Sequence, residues 1–322
     1  MATLQTPAPP AAGDEELRRQ LTGAGLEPRR KRADRAMTVV VALAFALALV
    51  PLVSVTWTVL SRGLERFDLY FLTVSMRGVF GGMDAGGIYH AILGTLLITL
   101  FATLISVPIG LLCAIYLVEY GRGRLAKAVT FFVDVMTGIP SIVAGLFAYA
   151  LFALVFGPGV RLGIAGSVAL SVLMIPVVVR SCEEMLRLVP NELREASYAL
   201  GVPKYLTILK VVLRTAIAGI ATGVMLAVAR VIGETAPLLI VAGTIDSINT
   251  NVFDGRMMTL PVYIFGQYRQ GNVSCVAGAA DCIPTINFDR AWAAALTLIL
   301  IVMALNLLAR LIARFFAPKA GR

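Results

Sequence analysis

The residues best suited to chemistry lie within one short stretch of an otherwise apolar run. From Ala229 the chain reads ARVIGETAPLLIVAG. Arg230 and Glu234 stand four residues apart, so on an unbroken helix they share a face. An ionised side chain near the middle of a bilayer costs about 2.5–3.5 kcal/mol, so two of them in one apolar run require a reason. Arg230 carries a planar fork of donors matched to an oxyanion. Glu234 can hold that guanidinium in place. It can also accept a proton from an oxyanion such as hydrogen phosphate, which fully ionised sulfate could not supply. Pro237 offers no N–H to the carbonyl of Gly233, and Gly233 relieves the clash with the ring, so the helix is expected to kink here. Backbone freed at this depth is tolerated where it is packed in protein or lines a wet cavity. The combination points to a substrate pathway through Arg230, Gly233, Glu234 and Pro237. The alternative is a structural ion pair that locks the helices.

Other polar residues give weaker signals. Asp134, Thr137 and Ser141 surround a GIPS turn in which Gly138 and Pro140 can bend a helix. Asp134 and Ser141 are either further pathway residues or, for Asp134, an interfacial charge. Arg180, Glu183 and Glu184 read as a solvated or gate-side cluster, and His90, the single histidine, as a membrane-interface residue. Cys113 and Cys182 lie in or beside apolar runs without the CxxC spacing of a metal or redox site. Cys275 and Cys282 fall in a polar loop, where an oxidising compartment would let them close a small disulfide; otherwise they are two free thiols. No metal site is expected.

The elements that carry these residues follow from composition. Of 322 residues, 58% are hydrophobic and 15% charged, with mean hydropathy +0.85. Soluble domains are closer to half apolar and a quarter charged. The excess sits in runs long enough to cross a bilayer, which takes about 20 helical residues. Six spans are expected: 37–60, 88–118, 128–156, 162–180, 215–243 and 291–314. They must be helices, because no open strand satisfies its backbone in lipid. Within the fifth, Gly219 and Gly223 form a small-xxx-small pair suited to close packing. With the N-terminus in the cytosol, 20 Lys and Arg residues fall on the cytosolic side and 7 outside, the bias that sets orientation. The reading is an all-α integral membrane protein with both termini cytosolic and its membrane domain over 37–314. Residues 1–36, rich in proline and charge, read as a disordered cytosolic tail, and 315–322 as a cytosolic C-terminal tail. The net charge of +9 is explained by topology rather than nucleic acid, since no basic stripe interleaved with aromatics is present.

Two loops are long: 181–214 in the cytosol and 244–290 outside. The external loop contains MMTLPVYIFG from Met257, too apolar for a solvated loop and expected as a short helix in the interface or dipping toward a pore. The cytosolic loop reads NELREASYALGVPKYLTILKVVLR from Asn191. Pro190 can open a helix, Leu193, Ala196 and Leu200 then share a face, Gly201 suits a left-handed terminus and Pro203 starts a second helix. Ala196, Ser197 and Ala199 give it a small-residue surface.

This element resembles the EAA loop of ABC importer permeases. Glu195, Ala196 and Ser197 fill the first three places of that signature and Gly201 the fourth. Val211 and Leu213 fill the next two, and Arg214 stands where the family usually has proline. The resemblance implies a coupling helix, with Glu195, Ala196, Ser197 and Gly201 docking on a separate ATPase. The chain itself has no GxxxxGK[ST] phosphate cradle, so ATP and Mg would be bound by that partner and no cofactor by this chain. Four stretches, MTGIPSIVAGLFAY from Met136, IPVVVRSCEEMLRLVPNELREASYALG from Ile175, the Ala229 stretch and MMTLPVYIFGQ from Met257, are similar to the PstA-type permeases of bacterial phosphate ABC importers. That resemblance implies a six-helix permease bundle in the plasma membrane that is not itself an enzyme. Its implied partners are a second, PstC-type permease, a PstB-type ATPase dimer and an external PstS-type phosphate-binding protein, with phosphate as substrate and lipid around it. Rival readings are an ABC permease for molybdate or sulfate, an ion-driven anion carrier, and a membrane-embedded enzyme, for which no HExxH or paired-Asp motif is present.

Overall fold

In the computed structural model, residues 28–275 and 282–316 are described. The chain divides into two units, Met1–Thr58 and Val59–Arg322. The first unit's described part is the body of helix α1, Pro28–Gly63, apolar enough to cross a membrane and exposed over residues 30–57. Residues 28–36, expected in the disordered tail, are therefore helical, and 1–27 lie outside the described residues.

The second unit is a helical bundle. A short helix α2, Leu69–Thr73, is capped by Asp68, whose carboxylate accepts from the Phe71 N–H. Helix α3, Tyr89–Ile115, continues through a π turn at Tyr116–Tyr120. Helices α4, Gly123–Thr137, and α5, Ser141–Phe156, occupy the expected third span, but they bend by 108° at the break between them. Pro140 is the cause: it disfavours helical geometry at Ile139 and has no N–H to continue the ladder. Among the described residues, five helices are long and apolar enough to cross a membrane, and the bent pair makes six if it is one span.

Helix α6, Gly163–Arg187, is the central element. It runs parallel to α3, with Ser167 Oγ donating to the Ile98 carbonyl at 3.1 Å and Ser171 Oγ to that of Ala102 at 3.4 Å. Close approach depends on glycine. A Cβ on Gly110 would lie 2.6 Å from Val178 Cγ1. We expect Gly110→Val to destabilise the protein by about 1–3 kcal/mol, the usual range for overpacking. The check is the thermal unfolding midpoint of the purified complex in detergent; an unchanged midpoint would contradict the packing described.

The 181–214 loop forms α7, Asn191–Ala199, and α8, Lys204–Thr207, which passes through a π turn at Ile208–Val212 into α9, Leu213–Val231. Helix α9 lies antiparallel to α6, with Gly219 against Met185 and Gly223 against Ser181. It stops at Val231, and a short helix α10, Ala236–Val241, follows after a break. Helix α11, Leu260–Gln270, and helix α12, Ile286–Phe316, complete the bundle. Residues 315 and 316 of the expected C-terminal tail thus belong to α12, and 317–322 lie outside the described residues. The segment expected as a short helix, in the interface or dipping toward a pore, is a short helix whose first turn is buried in the bundle. Leu260, Pro261, Val262 and Tyr263 face the core, the Leu260 N–H donates to Thr95 Oγ1 at 2.8 Å, and Met258 packs on Gly94 of α3.

Candidate functional site

The break in the fifth span sets the geometry of the Arg230 region. The antiparallel register that pairs Gly219 with Met185 and Gly223 with Ser181, continued along both helices, puts Arg230 level with Met174. That is near the midpoint of Gly163–Arg187, so Arg230 ends a half-helix about halfway across the bundle. The expected kinked but continuous helix is not formed. Pro237 sits in the first turn of α10 rather than inside a helix, a position where its missing N–H costs nothing. Its tight contact is with α5, where a Cβ on Gly145 would lie 2.6 Å from Pro237 Cα. The C-terminal end of α10 is pinned by Leu162 N–H to the Val241 carbonyl at 3.0 Å and Met257 N–H to that of Ala242 at 3.1 Å.

Because the helix ends at Val231, Arg230 and Glu234 do not share a helix face. Neither side chain has a hydrogen bond or ion pair among the described residues. Arg230 is exposed, Glu234 half-buried, and the space a Gly233 Cβ would enter is open to 4 Å. A guanidinium on the last turn of a helix is favoured by the helix dipole. Broken backbone at membrane depth, beside an unpaired cation and anion, requires a wet cavity or a covering partner. Discontinuous helices in transporters serve such sites.

Asp134 belongs to another locus. Its carboxylate pairs with Arg180, whose Nη1 also donates to Glu183 Oε2 at 2.8 Å. Arg187 Nη2 holds Glu183 Oε1 at 2.8 Å. Glu183 is 6% exposed, so the Arg180, Glu183 and Glu184 group, read as solvated or gate-side, contains a buried carboxylate; of those three, Glu184 is exposed and Arg180 half-buried. Asp134, Glu183 and Arg187, with Lys127 and Thr130, line a cleft of about 390 Å³. Ser141 begins α5, half-buried, its hydroxyl without a hydrogen bond among the described residues. No hydrogen bond or ion pair joins Asp134 or Ser141 to Arg230.

The cytosolic element forms a helix, a turn and a second helix. Pro190 caps α7, Gly201 has φ 75°, the left-handed conformation open to glycine, and Pro203 caps α8. Glu195 and Ala196 are exposed, as is Leu200, 83% exposed. Ser197 departs from the expected surface: it is buried, its Oγ 2.8 Å from Thr207 Oγ1, and it stitches the two arms together. Two residues carry more than their sequence context suggests. Arg194 places Nε and Nη2 at 3.0 and 2.9 Å from Glu119 Oε1. The two lie 75 positions apart, a pairing that no local pattern could signal.

Cys275 and Cys282 are joined as a disulfide, which lies against Gly82. Arg290 is 1% exposed and donates to the carbonyls of Met83 and Ala85 at 2.7 and 2.9 Å. His90, near the start of α3, is 1% exposed and edge-on to Tyr263, with ring centroids 5.8 Å apart. Burial pushes the Tyr263 phenol above its ordinary range.

Residues 106–322 match the family described as binding-protein-dependent transport system inner membrane component. Over 297 residues the chain is 45% identical to the "Phosphate transport system permease protein PstA 1" of Mycobacterium tuberculosis, covering 91% of each chain. It is 38% identical over 292 residues to the "Phosphate transport system permease protein PstA" of Pasteurella multocida, covering 90% of this chain and 97% of that one. Among solved structures it is similar to a chain of a bacterial alginate ABC transporter, with TM-score 0.59, 14% identity, and coverage of 91% and 99%. It is also similar to a chain of the inward-facing MetNI methionine ABC transporter, with TM-score 0.52, 20% identity, and coverage of 72% and 95%. At these identities the solved structures speak for the fold alone.

Proposed function

Given that the chain belongs to the family of binding-protein-dependent transport system inner membrane components, we propose that it is a membrane-spanning permease subunit of an ATP-driven inorganic phosphate importer. It is a multi-pass plasma-membrane protein and a transporter subunit rather than an enzyme. The observation that carries the reading is the unpaired Arg230 guanidinium, held halfway across the bundle at the end of a broken helix. The substrate follows from relatives named for phosphate transport along most of the chain.

In this reading the chain forms half of the pathway, and a homologous PstC-type permease covers the face on which Arg230, Gly233 and Glu234 are open. A PstB-type ATPase dimer binds ATP and Mg and docks on Glu195, Ala196 and the turn at Gly201. A PstS-type protein delivers phosphate from outside. Arg230 presents two parallel donors to a phosphate oxygen pair. Glu234, close by in the break, accepts a hydrogen bond from the O–H of hydrogen phosphate, a donor that fully ionised sulfate lacks. Asp134 and Ser141 lie along the route on the cytosolic side, where the Arg180 and Arg187 guanidiniums offer positive charge to the leaving anion.

The test is uptake by the whole complex in proteoliposomes. Labelled phosphate should enter only with ATP and the binding protein present, and excess sulfate or molybdate should not compete. Competition by those anions would assign the permease to another oxyanion. Uptake that survives without ATP but collapses with an ion gradient would make it a secondary carrier.

A further inference from the structure

We propose that Arg194 and Glu119 form the strut that transmits movement of the ATPase-docking helix into the membrane bundle. The proposal rests on the reading of α7 as that docking helix and names the residues through which it acts. Arg194 lies on α7, immediately before the exposed Glu195. Its own side chain is turned inward, 12% exposed, onto a Glu119 side chain that is 5% exposed. Besides the two bonds to Glu119, Arg194 Nη2 donates to the Leu186 carbonyl at 3.0 Å and Nη1 to that of Val189 at 2.6 Å. Nη1 also reaches Asn191 Oδ1 at 3.3 Å.

One planar group thus joins three elements: α7, the carbonyls at the end of α6, and the π turn that ends α3. The second arm is tied to the same point. Lys204, at the start of α8, donates from Nζ to the Glu119 carbonyl and lies 4.3 Å from the centre of the Tyr120 ring. Both arms of the cytosolic hairpin are therefore fastened to residues 119 and 120. From there α3 and α6 run in parallel contact through Gly110, Ser171 and Ser167. A displacement of α7 is passed to both helices together rather than absorbed in the loop.

The chemistry suits this role better than a role in stability alone. A buried ion pair adds little net stability over apolar packing, yet breaking it leaves an uncompensated charge. A guanidinium holding a carboxylate and two carbonyls in one plane fixes orientation as well as distance. Arg194 and Glu119 are positioning residues: neither is on the exposed face offered to the ATPase, and neither is near Arg230 in the chain's register.

The experiment uses the whole complex in proteoliposomes with phosphate-loaded binding protein. Arg194→Met keeps the length of the side chain and removes the fork; Glu119→Gln is the milder second variant. In both, the ATPase should remain bound and basal hydrolysis persist. Stimulation of hydrolysis by the loaded binding protein should fall about tenfold, the scale of losing charge-assisted hydrogen bonds, and phosphate uptake should fall with it. Arg194→Lys should recover part of the stimulation, since it keeps the charge without the fork. The double variant should be no worse than Arg194→Met, because both remove one interaction. Full stimulation in either single variant, or additive losses in the double variant, would overturn the proposal. So would loss of the ATPase from both variants, which would make the pair a folding or docking determinant. Absence of the ATPase from the unaltered complex would instead overturn the docking-helix reading, and this proposal with it.

Discussion

With Arg230 replaced by alanine, the complex should assemble, bind ATP and hydrolyse it, yet phosphate uptake should fall about a hundredfold, the loss expected when a bidentate charge-assisted contact of about 3 kcal/mol is removed. Assembly should survive because the side chain is exposed and makes no hydrogen bond or ion pair among the described residues. Arg230→Lys sharpens the test. A lysine keeps the positive charge at the end of the half-helix but not the planar fork, so it should give intermediate uptake and poorer discrimination between phosphate and sulfate. The checks are initial rates of labelled phosphate uptake in proteoliposomes and co-purification of the complex. Normal uptake by the alanine variant would reject a pathway role. Failure of the complex to assemble would turn Arg230 into an interface residue held by a partner permease.

The difference between the expected and observed surroundings of Arg230 shows where sequence reasoning reaches its limit. The apolar runs identify the spanning helices, since burial in lipid demands long apolar segments, and the Lys and Arg bias orients them. Gly201 and Pro203 are legible because each has one strong backbone preference. Pro237 and Pro140 were legible only as disturbances. A proline within an apolar run can kink a helix or start a new one, and tertiary packing decides which. At Pro237 the close approach of Gly145 from a distant helix favours the new start. Ser197 shows the same limit for a side chain: its type fits an exposed small-residue surface, but Thr207 across the turn claims its hydroxyl. Met257–Gly266 is legible as a short helix from its hydropathy, but whether it lies in the interface or dips inward is not, because that depends on the glycine at position 94, which leaves room for its backbone in the core. Glu119, Arg194 and Arg290 gave no local signal because their partners are fixed only by the three-dimensional arrangement.

The exposed residues of α7 make the last prediction. Glu195→Lys should release the ATPase from the complex while leaving the permease folded. Glu195 is exposed and without an ion pair among the described residues, so its reversal breaks no internal contact. It adjoins Ala196, which permits close approach, and Leu200, 83% exposed, an apolar side chain of the kind that marks a covered surface when it belongs to a patch. Placing a cation where a docking groove expects an anion costs several kcal/mol, so attachment should weaken by at least about a hundredfold. The measurement is the amount of ATPase retained on the purified membrane subunits, with the thermal unfolding midpoint as the control for folding. Undiminished retention would refute the docking assignment. The contrast with Arg194 is the decisive part. Glu195 and Arg194 are neighbours in sequence but face opposite ways, one outward and one into the Glu119 contact. Loss of attachment in one and loss of stimulation with attachment preserved in the other would separate docking from transmission on a single turn of helix.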